Sequence, residues 1–279
     1  MDLDLSPLPG GLGARVGCDL ARAPGPGTAT ALVGALHRHR LLVFPSQHLS
    51  HADLLTAAGL FGAVQTATDR RYAVPGFPGI TVVSNIREAG SPIGIYDGDQ
   101  EEEWHADDSF KPELTGATLL YSVITPDQGG ETRFADATRA YADLPAVLKE
   151  RLAGLRAVHS VQQLGTRQAE AAGQSSAQAG TLAGLPDVTH LLAPAHPATG
   201  ARSLLLGSMV VTRVEGLPDQ EGSRLLANLL AHTTREPYLH THRWQQHDLV
   251  VWDNHAVLHT ASACDSSRHH RLLYRTGVR

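Results

Sequence analysis

Cysteine is almost missing from this chain: Cys18 and Cys264 are the only two among 279 residues. They cannot make a disulfide framework, and no Cys-x-x-Cys pair offers the cysteine spacing of a zinc site. Lysine is equally scarce, at Lys111 and Lys149, while arginine is abundant; we read this as a compositional bias. The net charge of −5 supplies no basic stripe, so nothing here makes an electrostatic footprint for nucleic acid. No run approaches the ~18 apolar residues of a membrane span. The acidic start, Met1-Asp2-Leu3-Asp4, has no long apolar stretch, so no secretory signal is expected. These absences lead us to expect a cytoplasmic chain with neither membrane nor nucleic-acid partner; self-association stays open.

What is present suits a globular protein, with 42% hydrophobic and 18% charged residues. The length lies within the range that all-β sandwiches and barrels reach as one domain, and a chain of this size hides roughly three-quarters of its unfolded surface. We expect a single domain over 1–279.

Periodicity places helices over Ala29–His39, from Ser50 to about Gly62 with Ser50 as N-cap, over Asp136–Leu155, and over Asp219–Thr233. Strands are expected at Leu41–Phe44, Ile80–Ile86, Ala117–Ile124, Thr132–Ala135, Leu249–Trp252 and Arg271–Val278. Ala195–Val211 reads as a hairpin turning at Ala198-Thr199-Gly200. Residues 162–183, rich in Ala, Gly, Gln and Ser, read as a flexible surface loop and a candidate mobile lid. Strands interrupted by helical insertions point to a mainly β double-stranded β-helix, or jelly roll, although periodicity alone leaves other α+β layouts open.

The chemistry concentrates in two segments. Trp104-His105-Ala106-Asp107 sets a histidine and a carboxylate two residues apart. On a strand both would project from one face and could reach one ion. With a remote histidine they complete the two-histidine-one-carboxylate triad of non-haem Fe(II) oxygenases, which leaves metal positions open. Among 16 histidines such a pair also arises by chance. The downstream segment, Val251-Trp252-Asp253-Asn254-His255-Ala256-Val257-Leu258-His259, followed by Arg271-Leu272-Leu273-Tyr274-Arg275, gives the pair its context.

Here the chain resembles the taurine dioxygenase / 2,4-dichlorophenoxyacetate dioxygenase family of Fe(II)/2-oxoglutarate-dependent enzymes. In that family a Trp-Asp-Asn segment leads to the distal iron histidine, and an arginine about a dozen residues later holds 2-oxoglutarate. His259 and Arg271 match this pattern, as does the turn Gly129-Gly130-Glu131-Thr132, whose threonine helps hold the same carboxylate. The likeness runs from about Gly10 to the end, with support from Phe61-Gly62 and His196-Pro197-Ala198-Thr199-Gly200. It implies His105, Asp107 and His259 as iron ligands, Thr132 and Arg271 as co-substrate binders, and Fe(II), 2-oxoglutarate and O2 as cofactors. Arg275 matches the position that anchors the anionic group of taurine, so the resemblance implies a small anionic substrate, a carboxylate or sulfonate. Glu101 replaces an asparagine that contacts taurine, which puts taurine itself in doubt. An amino-acid-like compound, a specialised-metabolite intermediate or an aryloxyalkanoate fits equally well.

Asp107 argues against halogenation, because related halogenases have a small residue there. Hydroxylation is the expected outcome, with desaturation or C–heteroatom cleavage open. His255 is the rival distal ligand. A zinc hydrolase or a non-catalytic binding protein could use the same scaffold, but the hydrolase gives Thr132 and Arg271 no role.

Overall fold

The structure is a computed structural model that describes residues 3–22, 25, 27–95, 98–162 and 184–279. Its strands read as continuous apolar runs because both of their faces are covered. All four side chains of Leu41–Phe44 are buried. Leu42 and Phe44 pack with helices Thr28–His39 and His51–Ala58, while Leu41 and Val43 join a second cluster on the other face. Leu249–Asp253 divides the same way, Leu249 and Val251 to one side, Val250 and Trp252 to the other, as the two-residue repeat of a strand requires.

These strands belong to an eight-stranded sheet in the order Leu5–Pro7, Ala14–Val16, Leu41–Phe44, Leu249–Asp253, Ala117–Ile124, Leu272–Val278, Phe77–Ser84 and Ala73–Val74. A three-stranded sheet, Leu239–His242, Thr132–Asp136 and Val257–Ala261, lies against its inner face. Phe134 and Trp252 meet across the interface with ring centroids 5.4 Å apart. Together they form the expected double-stranded β-helix, mainly β with helical insertions. A further sheet, Val188–Leu191, Arg156–His159 and Val211–Val214, supports one end.

Local chemistry explains most boundaries. Ser50 caps the second helix by accepting from the Asp53 N–H, and Asp53 returns a bond to the Ser50 N–H, a reciprocal capping box. The helix expected over Asp136–Leu155 is two, Ala137–Ala142 and Ala146–Leu152. Pro145 separates them, because proline lacks the N–H and excludes the helical conformation at the residue before it. The hairpin expected over Ala195–Val211 shrinks to one bridge, Ala195 to Arg202, and the next strand starts at Val211. The stretch Leu204–Leu206 is instead buried in a cluster with helix Asp219–Thr233. The candidate lid at 162–183 falls, but for Gln162, outside the described residues.

Candidate active site

One small backbone pairing joins the two halves of the site. The His105 N–H donates to the His259 carbonyl at 3.0 Å, and the His259 N–H returns a bond to the His105 carbonyl at 2.8 Å. The strand expected around His105 is reduced to this bridge, and the chain turns from Asp107 onward. A bend, not the pleat of a strand, therefore brings Asp107 beside His105. Asp108, at φ 54°, carries its carboxylate away to Lys111 Nζ and Thr115 Oγ1, each 2.9 Å distant.

His105, Asp107 and His259 are all buried, and one ligand atom from each lies within 4.8 Å of the others. The His105 Nδ1–H donates to the Glu103 carbonyl at 2.8 Å, which leaves the Nε2 lone pair for a metal. Burial, reinforced by the adjacent His105 ring, pushes His259 down to about 3, so its imidazole is neutral and able to ligate. Burial alone would raise the Asp107 carboxyl. Arg275, His259, His105 and the Thr118 hydroxyl outweigh that effect and hold it well below the usual carboxylate range. Two imidazoles and a carboxylate are the donor set of a ferrous facial triad, so these residues fit the ion.

Asp107 is set in place by residues to which the sequence reading gave no role. Thr118 Oγ1 donates to Asp107 Oδ2 at 2.8 Å. Asn254 Nδ2 donates to Thr118 Oγ1 at 2.8 Å, and Asn254 Oδ1 accepts from the Asp107 N–H at 3.2 Å and from Trp252 Nε1 at 3.1 Å. This explains the Trp252-Asp253-Asn254 segment physically: Asn254 ties the distal strand to the turn that carries the carboxylate. The motif flagged Asn254, but only the fold shows what it reaches.

Arg271 is 1% exposed. Its main chain is clamped by the Asn85 side chain, which accepts from the Arg271 N–H at 2.8 Å, and by the Ser84 hydroxyl, which donates to its carbonyl at 2.8 Å. Its Nη2 lies 3.4 Å from Thr132 Oγ1, which also accepts from Trp244 Nε1 at 3.1 Å. The double glycine has a steric reason. Both residues have positive φ, a Cβ on Gly129 would collide with the Ala263 carbonyl, and one on Gly130 would come within 3.0 Å of Arg271 Cδ. The structure thus brings Thr132 and Arg271 together, as the sequence pattern implied.

Arg275 has an unforeseen partner. Its Nη1 donates to Asp107 Oδ1 at 2.9 Å, so the residue expected to hold substrate is also the counter-ion of the carboxylate expected on the metal. Glu101 pairs with Arg133 at 3.1 Å.

His255 stands apart from the triad and stacks edge-on against His196, ring centroids 5.2 Å apart. A second group, His37, His196 and Asp253, also clusters closely. It is a poor metal site. The Ala198 and Thr199 N–H groups donate to His196 Nδ1 at 3.0 and 3.2 Å. The proton must then sit on Nε2, which donates to Asp253 at 2.8 Å, and no lone pair remains for an ion.

The triad, Thr132, Arg271 and Arg275 all line one cavity of about 420 Å³. Val83, Ile95, Phe110, Leu120, Met209 and Val210 supply apolar wall. From the strand Phe77–Ser84 and the segment after it, Thr81, Val83 and Ile95 reach the cavity.

Comparison with known proteins agrees with this geometry. The chain is 31% identical over 273 residues to an alpha-ketoglutarate-dependent 2,4-dichlorophenoxyacetate dioxygenase of Cupriavidus pinatubonensis, covering 92% of this chain and 91% of the relative. Its fold superposes on a taurine dioxygenase from Burkholderia xenovorans with a TM-score of 0.80 and 26% identity, covering 100% of this chain and 89% of the other. It also superposes on AAD-2 in complex with Mn(II) and N-oxalylglycine, TM-score 0.79 and 26% identity, covering 100% and 97%. Residues 4–276 match the family described as taurine catabolism dioxygenase TauD, TfdA family. No helix among the described residues is long and apolar enough to cross a membrane. The chain belongs to the TauD/TfdA family and is a 2-oxoglutarate-dependent non-haem iron dioxygenase, with Fe(II), 2-oxoglutarate and O2 as its cofactors.

Proposed function

We propose that this single-domain enzyme hydroxylates an unactivated C–H bond of a small anionic substrate with an apolar body. The supporting observation is the shared cavity: His105, Asp107 and His259 at one wall, Arg271 with Thr132, Arg275, and an apolar lining between them. Fe(II) held by the triad supplies activation of O2, coupled to oxidative decarboxylation of 2-oxoglutarate to succinate and CO2.

The chain's own residues do the rest. Arg271 offers a permanently charged guanidinium in a buried setting, and its fork suits the distal carboxylate of 2-oxoglutarate. The Thr132 hydroxyl, fixed by Trp244, adds a second polar contact. Arg275 takes the substrate's carboxylate or sulfonate, which turns the apolar part toward Phe110, Met209 and Val210. The relative from Cupriavidus pinatubonensis acts on an aryloxyacetate, and a compound of that shape would fill this lining.

The test is succinate formation from 2-oxoglutarate with Fe(II), ascorbate and oxygen, run against a panel of aryloxyalkanoates, sulfonates and amino acids, with the product analysed by mass. A gain of one oxygen supports hydroxylation; loss of two hydrogens or cleavage gives another outcome from the same site. Arg271→Lys should raise the KM for 2-oxoglutarate, and Arg275→Gln that for substrate. Equal losses for both ligands in both variants would undo the two roles.

A further inference from the structure

Asp107 Oδ1 lies 2.9 Å from Arg275 Nη1, so the carboxylate expected on the metal already neutralises the arginine expected on the substrate. We propose that this pair makes anion binding conditional on the metal: without metal, Asp107 masks Arg275, and metal loading exposes it as a receptor. The inference rests on the function proposed above and adds a binding order to it.

The charges around Arg275 support this. Asp107, Asp108 and Glu102 are the acids that act on it. Asp108 is spent on Lys111 and Thr115, and Glu102 is held through its main chain, its N–H on the Ala261 carbonyl and its own carbonyl taking the Thr260 hydroxyl. Asp107 is the one in direct contact. Arg275 and Asp107, one cation and one anion in contact, sum to zero formal charge in the metal-free pocket. A monoanion entering beside that pair gains one cation and meets one anion at close range. A divalent ion on Asp107, His105 and His259 takes up the carboxylate charge and leaves the neighbourhood of Arg275 with a positive excess. Charges this close, inside a cavity with an apolar wall, interact far more strongly than in water.

Arg275 keeps 27% of its side-chain surface exposed while Asp107 keeps 4%. The guanidinium can therefore meet a ligand without leaving the carboxylate. Linkage makes the effect reciprocal: an anion on Arg275 raises metal affinity by the same factor that metal raises anion affinity. A coupling of the usual size corresponds to about 5- to 150-fold.

The test is calorimetric and needs no turnover. Phenoxyacetate and its neutral counterpart phenoxyacetamide are titrated into the full chain, metal-free and loaded with Mn2+ in the absence of oxygen. Phenoxyacetate should bind at least tenfold tighter to the loaded protein, and phenoxyacetamide should bind equally to both. Metal-free Asp107→Asn should bind phenoxyacetate as tightly as loaded wild type, because the counter-ion is gone. Should that variant fold poorly, Mn2+ affinity of the wild type with and without phenoxyacetate reads the same coupling in reverse. If metal-free wild type binds phenoxyacetate as well as the loaded protein does, and Arg275→Gln weakens both, the masking is wrong while the anion anchor stands. If the loaded protein shows no preference for the acid, or Arg275→Gln leaves that preference intact, both the anchor and the masking fall.

Discussion

Replacing Asn254 with alanine probes the support of the candidate metal site without touching a residue expected to ligate. Its side chain makes three buried hydrogen bonds: from the Asp107 N–H, from Trp252 Nε1, and to Thr118 Oγ1. Alanine strands two donors, the Asp107 N–H and the Trp252 indole, and Trp252 is 1% exposed, so little water reaches it. A stranded buried donor costs about 1–3 kcal/mol, which puts the loss near 2–6 kcal/mol. Thr118 keeps its bond to Asp107 Oδ2 but loses the group that orients it. The carboxylate then rests on a looser turn, and loss of such outer support lowers metal affinity about 10- to 100-fold. Urea unfolding of the metal-free protein measures the first quantity, and Mn2+ titration followed by electron paramagnetic resonance measures the second. A variant that loses under 1 kcal/mol and binds Mn2+ as wild type does would refute the idea that Asn254 fastens the two halves of the site.

Three further outcomes are expected. His259→Ala should abolish metal binding while His255→Ala should leave it intact, read by Mn2+ titration; the reverse would overturn the choice of distal ligand. Gly130→Ala should raise the KM for 2-oxoglutarate more than that for substrate, because its φ of 69° and a Cβ 3.0 Å from Arg271 Cδ press on the co-substrate residue; an unchanged KM would remove the steric role. His159 is fully buried, and burial together with His190 pushes it down to about 3. The unfolded chain protonates this group near its ordinary value of about 6.5. Its contribution to stability is thus complete above that pH and is lost as the pH falls toward 3. Urea midpoints measured between pH 7 and 4 should fall less steeply in His159→Gln than in wild type, and parallel slopes would show that another group carries the dependence.

Elements with strong local signals were legible in sequence. The run Ala117–Ile124 ends at the same residues in the structure, and Ser50 with Asp53 forms the helix start that its cap chemistry implied. Arg156–His159 and Val188–Leu191 were missed because each is a four-residue strand with only two apolar residues, whereas Leu41–Phe44, equally short, is apolar throughout. The Ala195–Val211 hairpin failed for a related reason: the apolar Leu204–Leu206 stretch satisfies a strand pattern, but burial beneath a helix satisfies the same side chains.

At the candidate site, residue type and order named the groups that the fold brings together around one cavity. Two histidines and an aspartate offer metal donors, a glycine pair gives a turn that no other residues fit, and an arginine twelve residues past His259 offers a fixed charge. Contacts between segments more than a hundred residues apart leave no local signal, and these the tertiary structure alone decided. It gave Asn254 its tie to Asp107. It also set Arg275 against the Asp107 carboxylate, where the motif had implied only a substrate anion. Hydrogen-bond direction and ion pairing depend on ångström distances across the closed sheets, and a one-dimensional pattern does not encode them.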